Sequence, residues 1–296
     1  MLTVLIPALN EEGAIAQTVE KVREALEKGG ISDAEVLVID DGSSDRTGEL
    51  ARAAGATVLR NPHNLGYGAS LKRGIVAARH DAVCLIDADL TYPEHEIPRL
   101  YQKHREGFDM VVGARTGHHY SGSIFKGPLR QILRFCVEFA AGRRIPDANS
   151  GLRVFSRSVA LEQLPHLCDT FSFTTSITIA YCLTGRFILY VPIEYHLRHG
   201  KSKVKLLKDS IRTLIYIAQT IVYYNPLKLF LLFALSCIGV AAVCFGLGVL
   251  LEIAAPYYLG IGCLLLAVLM FALGLIADLL RQIMLRTAFE PPERGT

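Results

Sequence analysis

Asp81-Ala82-Val83-Cys84-Leu85-Ile86-Asp87-Ala88-Asp89 is the stretch that decides the fold. Its middle, Ala82–Ile86, is short, apolar and bounded by charge, which reads as a buried strand. Two carboxylates one residue apart then lie at the strand's carboxyl end, where both can face one point from a loop. A hard divalent cation takes oxygen donors of this kind, and such a cation holds a diphosphate. The acidic pair gains weight only from its surroundings, because such pairs in loops are common and mostly just solvated.

The surroundings repeat the pattern. Leu2–Ile6, Glu35–Ile39, Ala56–Leu59 and Met110–Ala114 are further short apolar runs. Helix-length segments lie between them, at Ala14–Lys28, Ser44–Ala54, Ala69–Arg79 and Glu94–Glu106. Strands that are apolar throughout and alternate with helices predict an α/β domain, a mostly parallel sheet covered on both faces. Ligands of such sheets bind beyond the carboxyl ends of the strands. The polar clusters fall there: Pro7–Glu12, Asp40–Asp45, Asn61–Gly68 and Asp87–Asp89. In the second cluster, Ser43 or Ser44 reads as a helix cap with Asp45 in the first turn. That leaves Asp40 and Asp41 at the strand end, able to accept from a nucleobase N–H or a ribose hydroxyl. Gly66-Tyr67-Gly68 lacks the third glycine of a dinucleotide fingerprint and follows the third strand, which excludes that reading.

The chain has 296 residues, 51% of them hydrophobic, and a net charge of +3. The apolar excess is concentrated at Leu229–Leu251 and Tyr257–Ala277, which carry no Asp, Glu, Lys or Arg and are each long enough to span a bilayer. Arg198, Lys201, Lys203, Lys205, Lys208, Arg212 and Lys228 precede the first run; Arg281, Arg286 and Arg294 follow the second; Glu252–Pro256 between them has no basic residue. The positive-inside rule then predicts a multi-pass hairpin in the cytoplasmic membrane, with both ends and the α/β domain in the cytosol. The basic collar favours anionic lipid over nucleic acid, since no aromatic residues interleave with it. Lys126–Ala141 and Ser202–Tyr224 are amphipathic and suit a membrane interface or the sheet. Leu2–Leu9 is too short for a signal peptide. The seven cysteines show no C-x-x-C spacing and read as small hydrophobes.

Taken in order, Ile6-Pro7-Ala8-Leu9-Asn10-Glu11-Glu12, Val38-Ile39-Asp40-Asp41-Gly42-Ser43-Ser44-Asp45 and Asp87-Ala88-Asp89-Leu90 resemble the family 2 glycosyltransferases of the GT-A fold. Val111-Val112-Gly113-Ala114-Arg115, Asp147-Ala148-Asn149-Ser150-Gly151-Leu152-Arg153 and Gly200-Lys201-Ser202-Lys203 look like the branch that includes dolichol-phosphate mannose synthase and bacterial polyprenyl-phosphate glucosyltransferases. The resemblance implies a cytosolic catalytic domain over 1–201, a juxtamembrane helix over 202–228, a hairpin over 229–277 and a tail over 278–296.

It also implies roles. Pro7, Asn10, Glu11, Asp40, Asp41, Gly68, Lys72, Asp87 and Ala88 would line the donor nucleotide site. Asp87 and Asp89 would hold Mg²⁺ or Mn²⁺ on the diphosphate. Thr91 stands where the family often has Gln, which puts the third ligand in doubt, and Tyr92 follows where His or Asp is usual. Asp89, Asp147 and Arg115 would be catalytic. A polyprenyl-phosphate acceptor needs its charge neutralised, for which Arg115, Arg130, Arg153, Arg198, Lys201 and Lys203 are the available cations. Thr116–Gly127, with His118 and His119, would be a loop over the acceptor. A phosphate monoester is largely ionised at neutral pH, so Asp147 is a base or a positioning residue. A single displacement would invert the sugar's anomeric centre.

Other readings stand beside this one. A processive polysaccharide synthase disagrees with the absence of Trp and the two spans. A transferase acting on diacylglycerol or ceramide would need a true base. A non-catalytic nucleotide-binding scaffold sits poorly with both carboxylates in place. Sugar identity, UDP against GDP, and homo-oligomer formation stay open, with UDP favoured by the two-span layout.

Overall fold

The computed structural model describes residues 1–116, 127–196 and 206–289, with side chains for all of these except 127–130, 132, 133, 206–213 and 285–289. Two compact units divide it, Met1–Ile217 and Ala218–Thr296.

The first unit is built on a seven-stranded sheet. Its strands are β1 (Leu2–Ala8), β2 (Ala34–Asp40), β3 (Thr57–Arg60), β4 (Ala82–Leu85), β5 (Met110–Thr116), β6 (Arg153–Ser156) and β7 (Ile188–Glu194), in the order β3-β2-β1-β4-β6-β5-β7. β6 runs antiparallel to both neighbours and every other pairing is parallel. The carboxyl ends of β1, β2, β4 and β5 therefore share one edge of the sheet with the start of β6. β1 is buried along its whole length, as expected of a central strand with both faces covered. The helix α1 (Ile15–Lys28) buries Ile15, Thr18, Val19, Val22, Ala25 and Leu26, one stripe at helical spacing. Each of its large apolar side chains gains about 1.5–3 kcal/mol on burial, so Val22→Asp would undo the stripe at its centre.

Helices α2 (Thr47–Ala53), α3 (Tyr67–Ala77) and α4 (Ile97–Arg105) follow β2, β3 and β4. α2 starts at Thr47 with no side-chain cap, later than the Ser44 start read from sequence, because Ser43 and Ser44 are used elsewhere. After α5 (Gly127–Ala141) come β6, α6 (Arg157–Gln163), α7 (Phe173–Leu183) and β7. β6, α6, α7 and β7 were not anticipated from sequence. β7 contains Pro192, which demotes a strand by pattern; it is tolerated because β7 is the outermost strand. α7 buries Thr174, Thr175, Ser176 and Thr178 along with its apolar residues, so no amphipathic signal marks it.

α8 (Leu206–Tyr224) ends at Asn225, whose side chain accepts from the Lys228 N–H and starts α9 (Pro226–Leu251). α10 (Ala254–Phe289) returns antiparallel to it. A Cβ on Gly248, Gly260 or Gly274 would meet Tyr257, Phe245 or Phe230 respectively, which shows how closely the two helices pack. The turn is shorter than the Glu252–Pro256 segment read from sequence. Glu252 takes the left-handed conformation (φ 54°), and Pro256 falls in the first turn of α10, where its missing N–H has no helical partner to lose. Both helices are long and apolar enough to cross a membrane, and only 17% of each apolar window is buried within the structure, which argues against soluble core helices.

Candidate active site

The loops after β1 and β2 are stitched to each other. Asn10, left-handed at φ 51°, donates its N–H to Ser43 Oγ (3.0 Å) and accepts from the Ser44 N–H on Oδ1 (2.9 Å). Glu11 donates its N–H to Thr47 Oγ1 (2.8 Å), and Glu12 donates its own to Asp45 Oδ2 (3.2 Å). The serines thus bind one loop to the other instead of capping α2. Asp45 accepts from the Thr47 N–H just ahead of the helix. Pro7 lies within buried β1, opposite Ile39.

Asp40 and Asp41 are both buried. Asp40 accepts from the Ser43 N–H (2.9 Å) and faces Arg60 (3.5 Å), while the backbone of Gly48 packs on its carboxylate. It sits beneath the loop as a brace. Asp41 accepts from Asn61 Nδ2 (2.7 Å) and from the N–H groups of Leu65 (2.8 Å) and Gly66 (3.0 Å). Those three bonds use most of the roughly four lone-pair positions of a carboxylate. Asp41 therefore fixes the β3–α3 loop first, with about one acceptor position left for a nucleoside. Asn61, which opens the third polar cluster, also donates to Ser70 Oγ and accepts from Arg73.

Gly68 and Lys72 face the segment before α7. A Cβ at Gly68 would run into the backbone of Cys168 and Asp169, and Lys72 Nζ pairs with Asp169 Oδ1 at 2.7 Å. Both residues thus tie α3 to the segment before α7.

The turn after β4 carries the acidic pair. Leu90 between Asp89 and Thr91 is left-handed (φ 59°), a conformation costing a non-glycine residue about 1 kcal/mol. Strain of this kind concentrates at functional sites. Thr91 is buried and donates its hydroxyl to Asp89 Oδ1 at 2.6 Å. It orients Asp89 within the turn. Ala88 is buried and its carbonyl accepts from Thr18 Oγ1 (3.0 Å), which anchors the turn to α1. Tyr67 Oη donates to Asp87 Oδ1 (2.9 Å). Burial, then the charge of Asp87, pushes this phenol well up, so it stays protonated as a donor.

At the end of β5, Asp147 holds Arg115 by a two-pronged ion pair, with Nε to Oδ2 at 2.7 Å and Nη2 to Oδ1 at 2.9 Å. The Asp147 side chain is 2% exposed and that of Arg115 14%. Asp147 also accepts the N–H groups of Arg115 (3.2 Å) and Asn149 (3.1 Å). The Arg115 guanidinium lies 5.4 Å over the Tyr195 ring, and Tyr195 packs edge-on against Tyr92. Tyr92 Oη accepts the Gly151 N–H at 2.7 Å, and burial pushes its phenol up. Tyr92 and Tyr195 thus wall the site from below; the position of Tyr92 after the acidic pair was the only sequence cue.

Arg153, expected at the acceptor phosphate, is fully buried. Nε donates to Ser150 O, Nη1 to Thr174 O and Thr178 Oγ1, and Nη2 to Ala148 O and Ser150 O. All five N–H bonds end on protein acceptors, so Arg153 is a cross-brace and not a phosphate ligand. Arg198, Lys201, Lys203, His118 and His119 lie outside the described residues, as does the Arg130 side chain.

Among the described residues no three His, Cys, Asp or Glu side chains form a metal cluster. Asp87 and Asp89 offer an oxygen-only set of two carboxylates on one turn. That fits Mg²⁺ or Mn²⁺ bound together with a substrate's phosphates better than a closed protein site.

The family model "Glycosyl transferase family 2" matches residues 3–163. A low-salt glycan biosynthesis hexosyltransferase of Haloferax volcanii is 34% identical over 254 residues, 82% of this chain and 58% of the relative, so this chain spans little more than half of that protein. An undecaprenyl-phosphate 4-deoxy-4-formamido-L-arabinose transferase of Edwardsiella ictaluri is 29% identical over 84% of this chain and 75% of its own length. Glucosyl-3-phosphoglycerate synthase from Mycobacterium tuberculosis, solved with Mn²⁺, UDP and glucosyl-3-phosphoglycerate, superposes with a TM-score of 0.60 at 23% identity, covering 74% of this chain and 79% of that one. The fold is thus of the GT-A type, and the chain belongs to glycosyl transferase family 2.

Proposed function

We propose that this chain transfers one hexose, with inversion, from a nucleotide-diphosphate sugar to polyprenyl phosphate at a membrane. The observation that carries the reading is the pairing of opposite chemistries on one sheet edge: two carboxylates after β4 and a braced arginine at the end of β5. The hexosyltransferase relative supports transfer of a hexose, and the undecaprenyl-phosphate transferase relative supports a lipid-phosphate acceptor. The two apolar helices and their basic flanks support a cytoplasmic-membrane location with the α/β unit in the cytosol.

Asp87 and Asp89 would hold Mg²⁺ or Mn²⁺, which supplies Lewis-acid stabilisation of the departing nucleoside diphosphate when bound. Asn10, Glu11 and Asp41 border the nucleoside side of this edge. Arg115 meets the acceptor phosphate, with its guanidinium plane held by Asp147 so that little rotamer freedom is lost on binding. Arg130, Arg198, Lys201 and Lys203 complete the cationic side of the proposal. The acceptor's second pKa lies near 6, so its oxygen attacks the anomeric carbon without a protein base. The electron pair of the breaking C–O bond leaves with the nucleoside diphosphate. UDP-glucose is the favoured donor and GDP-mannose the alternative.

A lipid hydroxyl acceptor, as in diacylglycerol or ceramide, fits less well. It would need a base, and Asp147, the candidate, is committed to Arg115 through both oxygens. The purified protein, given labelled UDP-glucose or GDP-mannose, undecaprenyl phosphate and Mn²⁺, is expected to yield an acid-labile labelled lipid and none in EDTA. No transfer across a panel of nucleotide sugars would refute the proposal.

A further inference from the structure

Asp87 is gripped from two sides by residues to which the sequence assigned no role at the metal. On one side Tyr67, the first residue of α3, donates its hydroxyl to Oδ1 at 2.9 Å. On the other side lies Gly151: a Cβ built there would come within 2.5 Å of Asp87 Oδ2 and 2.8 Å of its Cγ. The carboxylate rests against bare backbone, and only glycine leaves that space.

Both jaws are themselves held. The Tyr67 ring stacks on Phe171 with centroids 5.6 Å apart and planes 15° from parallel. The turn it opens is tied to the same segment by the Ala69 N–H, which donates to Asp169 O, and by the Lys72–Asp169 ion pair. Gly151 is fixed through its N–H on Tyr92 Oη. A ring alone would satisfy the stack on Phe171; the hydroxyl is the part of Tyr67 that addresses Asp87.

We propose that Tyr67 is a positioning residue for Asp87, its hydroxyl and the bare face of Gly151 together fixing the carboxylate in the posture that takes up the divalent cation. The inference rests on the metal role of Asp87 in the function proposed above. One hydrogen bond uses one of about four lone-pair positions on a carboxylate, so the clamp orients the group without consuming it. Pre-fixing a ligand removes the ordering cost that binding would otherwise carry.

The test is a Mn²⁺ titration followed by electron paramagnetic resonance. It uses the full-length protein in detergent with saturating UDP or GDP, whichever raises the wild-type Tm more. Tyr67→Phe keeps the stack and should bind Mn²⁺ about tenfold more weakly, the scale of one lost hydrogen bond to a charged group. Its metal-free affinity for the nucleotide should be unchanged, which a merely structural defect would not spare. Gly151→Ala, which displaces the carboxylate by a different route, should weaken Mn²⁺ at least as much, and Asp87→Asn should lose it. Tyr67→Phe with wild-type Mn²⁺ affinity, beside an Asp87→Asn that has lost it, would overturn this inference alone. An Asp87→Asn that keeps wild-type Mn²⁺ affinity, or a wild type that takes up none, would overturn the metal reading and the inference with it.

Discussion

The two halves of the sheet present opposite chemistry at the same edge, and in each half charge is offered at the site by some residues while another of the same type is spent on the fold. On the side of β1, β2 and β4 the charges are carboxylates. Asp40 braces its own loop against the Ser43 N–H and Arg60, whereas Asp87 and Asp89 share the strained turn at Leu90. On the side of β5 and β6 the charges are guanidiniums. Arg153 is buried with every N–H on a protein acceptor, whereas Arg115 reaches the edge, steadied by Asp147 and Tyr195. Residue type at a strand end does not decide function. What decides it is whether the local backbone already supplies the residue with partners.

The contrast is most exposed to failure at the acidic turn. Asp89→Asn should lower transfer by at least about a hundredfold, the usual scale for losing a group that stabilises developing charge. Asp40→Asn should instead act mainly on stability, read by urea denaturation. Equal losses of turnover at matched folded fraction would erase the distinction between brace and ligand.

The arginine pair gives the next largest effect. Removing one partner of a buried ion pair costs about 3–5 kcal/mol, and Asp147→Asn should approach the lower end because Arg115 keeps some exposure. In the folded variant the acceptor KM should rise more than kcat falls. A collapse of kcat with a flattened acid limb of the pH–rate profile would make Asp147 a base and favour a hydroxyl acceptor.

Arg153→Met strips partners from the carbonyls of Ala148, Ser150 and Thr174, each costing about 1–3 kcal/mol when left buried and unpaired. Tm should fall while the acceptor KM of the folded enzyme changes less than in Arg115→Met. A larger KM effect at Arg153 would return it to the acceptor site.

These pairs also mark what was legible in the sequence. The first five strands and four helices stood out because their apolar runs are continuous and punctuated by Gly, Asp and Asn. β6 did not, because it opens with Arg153, and a charged residue reads as surface until the five hydrogen bonds it donates to buried acceptors are seen. Asp87, Asp89 and Arg115 were visible as strand-end charges. Their supports, Tyr67, Tyr195 and Gly151, come from distant segments, and no local pattern encodes a contact between residues 67 and 87 or 87 and 151.

The smallest effect concerns the stitched loops. Burial pushes the Asp45 carboxyl up, but bonds from the Thr47 hydroxyl and N–H and from the Glu12 N–H outweigh it and hold it below its ordinary value. A carboxyl lowered on folding stabilises fully above its unfolded value and loses that contribution as pH falls through the folded one. Asp45→Asn should therefore lower Tm modestly at pH 7, and the difference from the wild type should close below about pH 4. An unchanged acid limb would show that the loop does not depend on this charge.

The central claim is that the arginine side of the edge receives a phosphate. It is tested most directly by offering the enzyme undecaprenyl phosphate and undecaprenol side by side, each with the same labelled nucleotide sugar and Mn²⁺. The account predicts labelled product from the phosphate alone, with Arg115→Met raising the acceptor KM. Comparable product from undecaprenol, insensitive to Arg115, would contradict it.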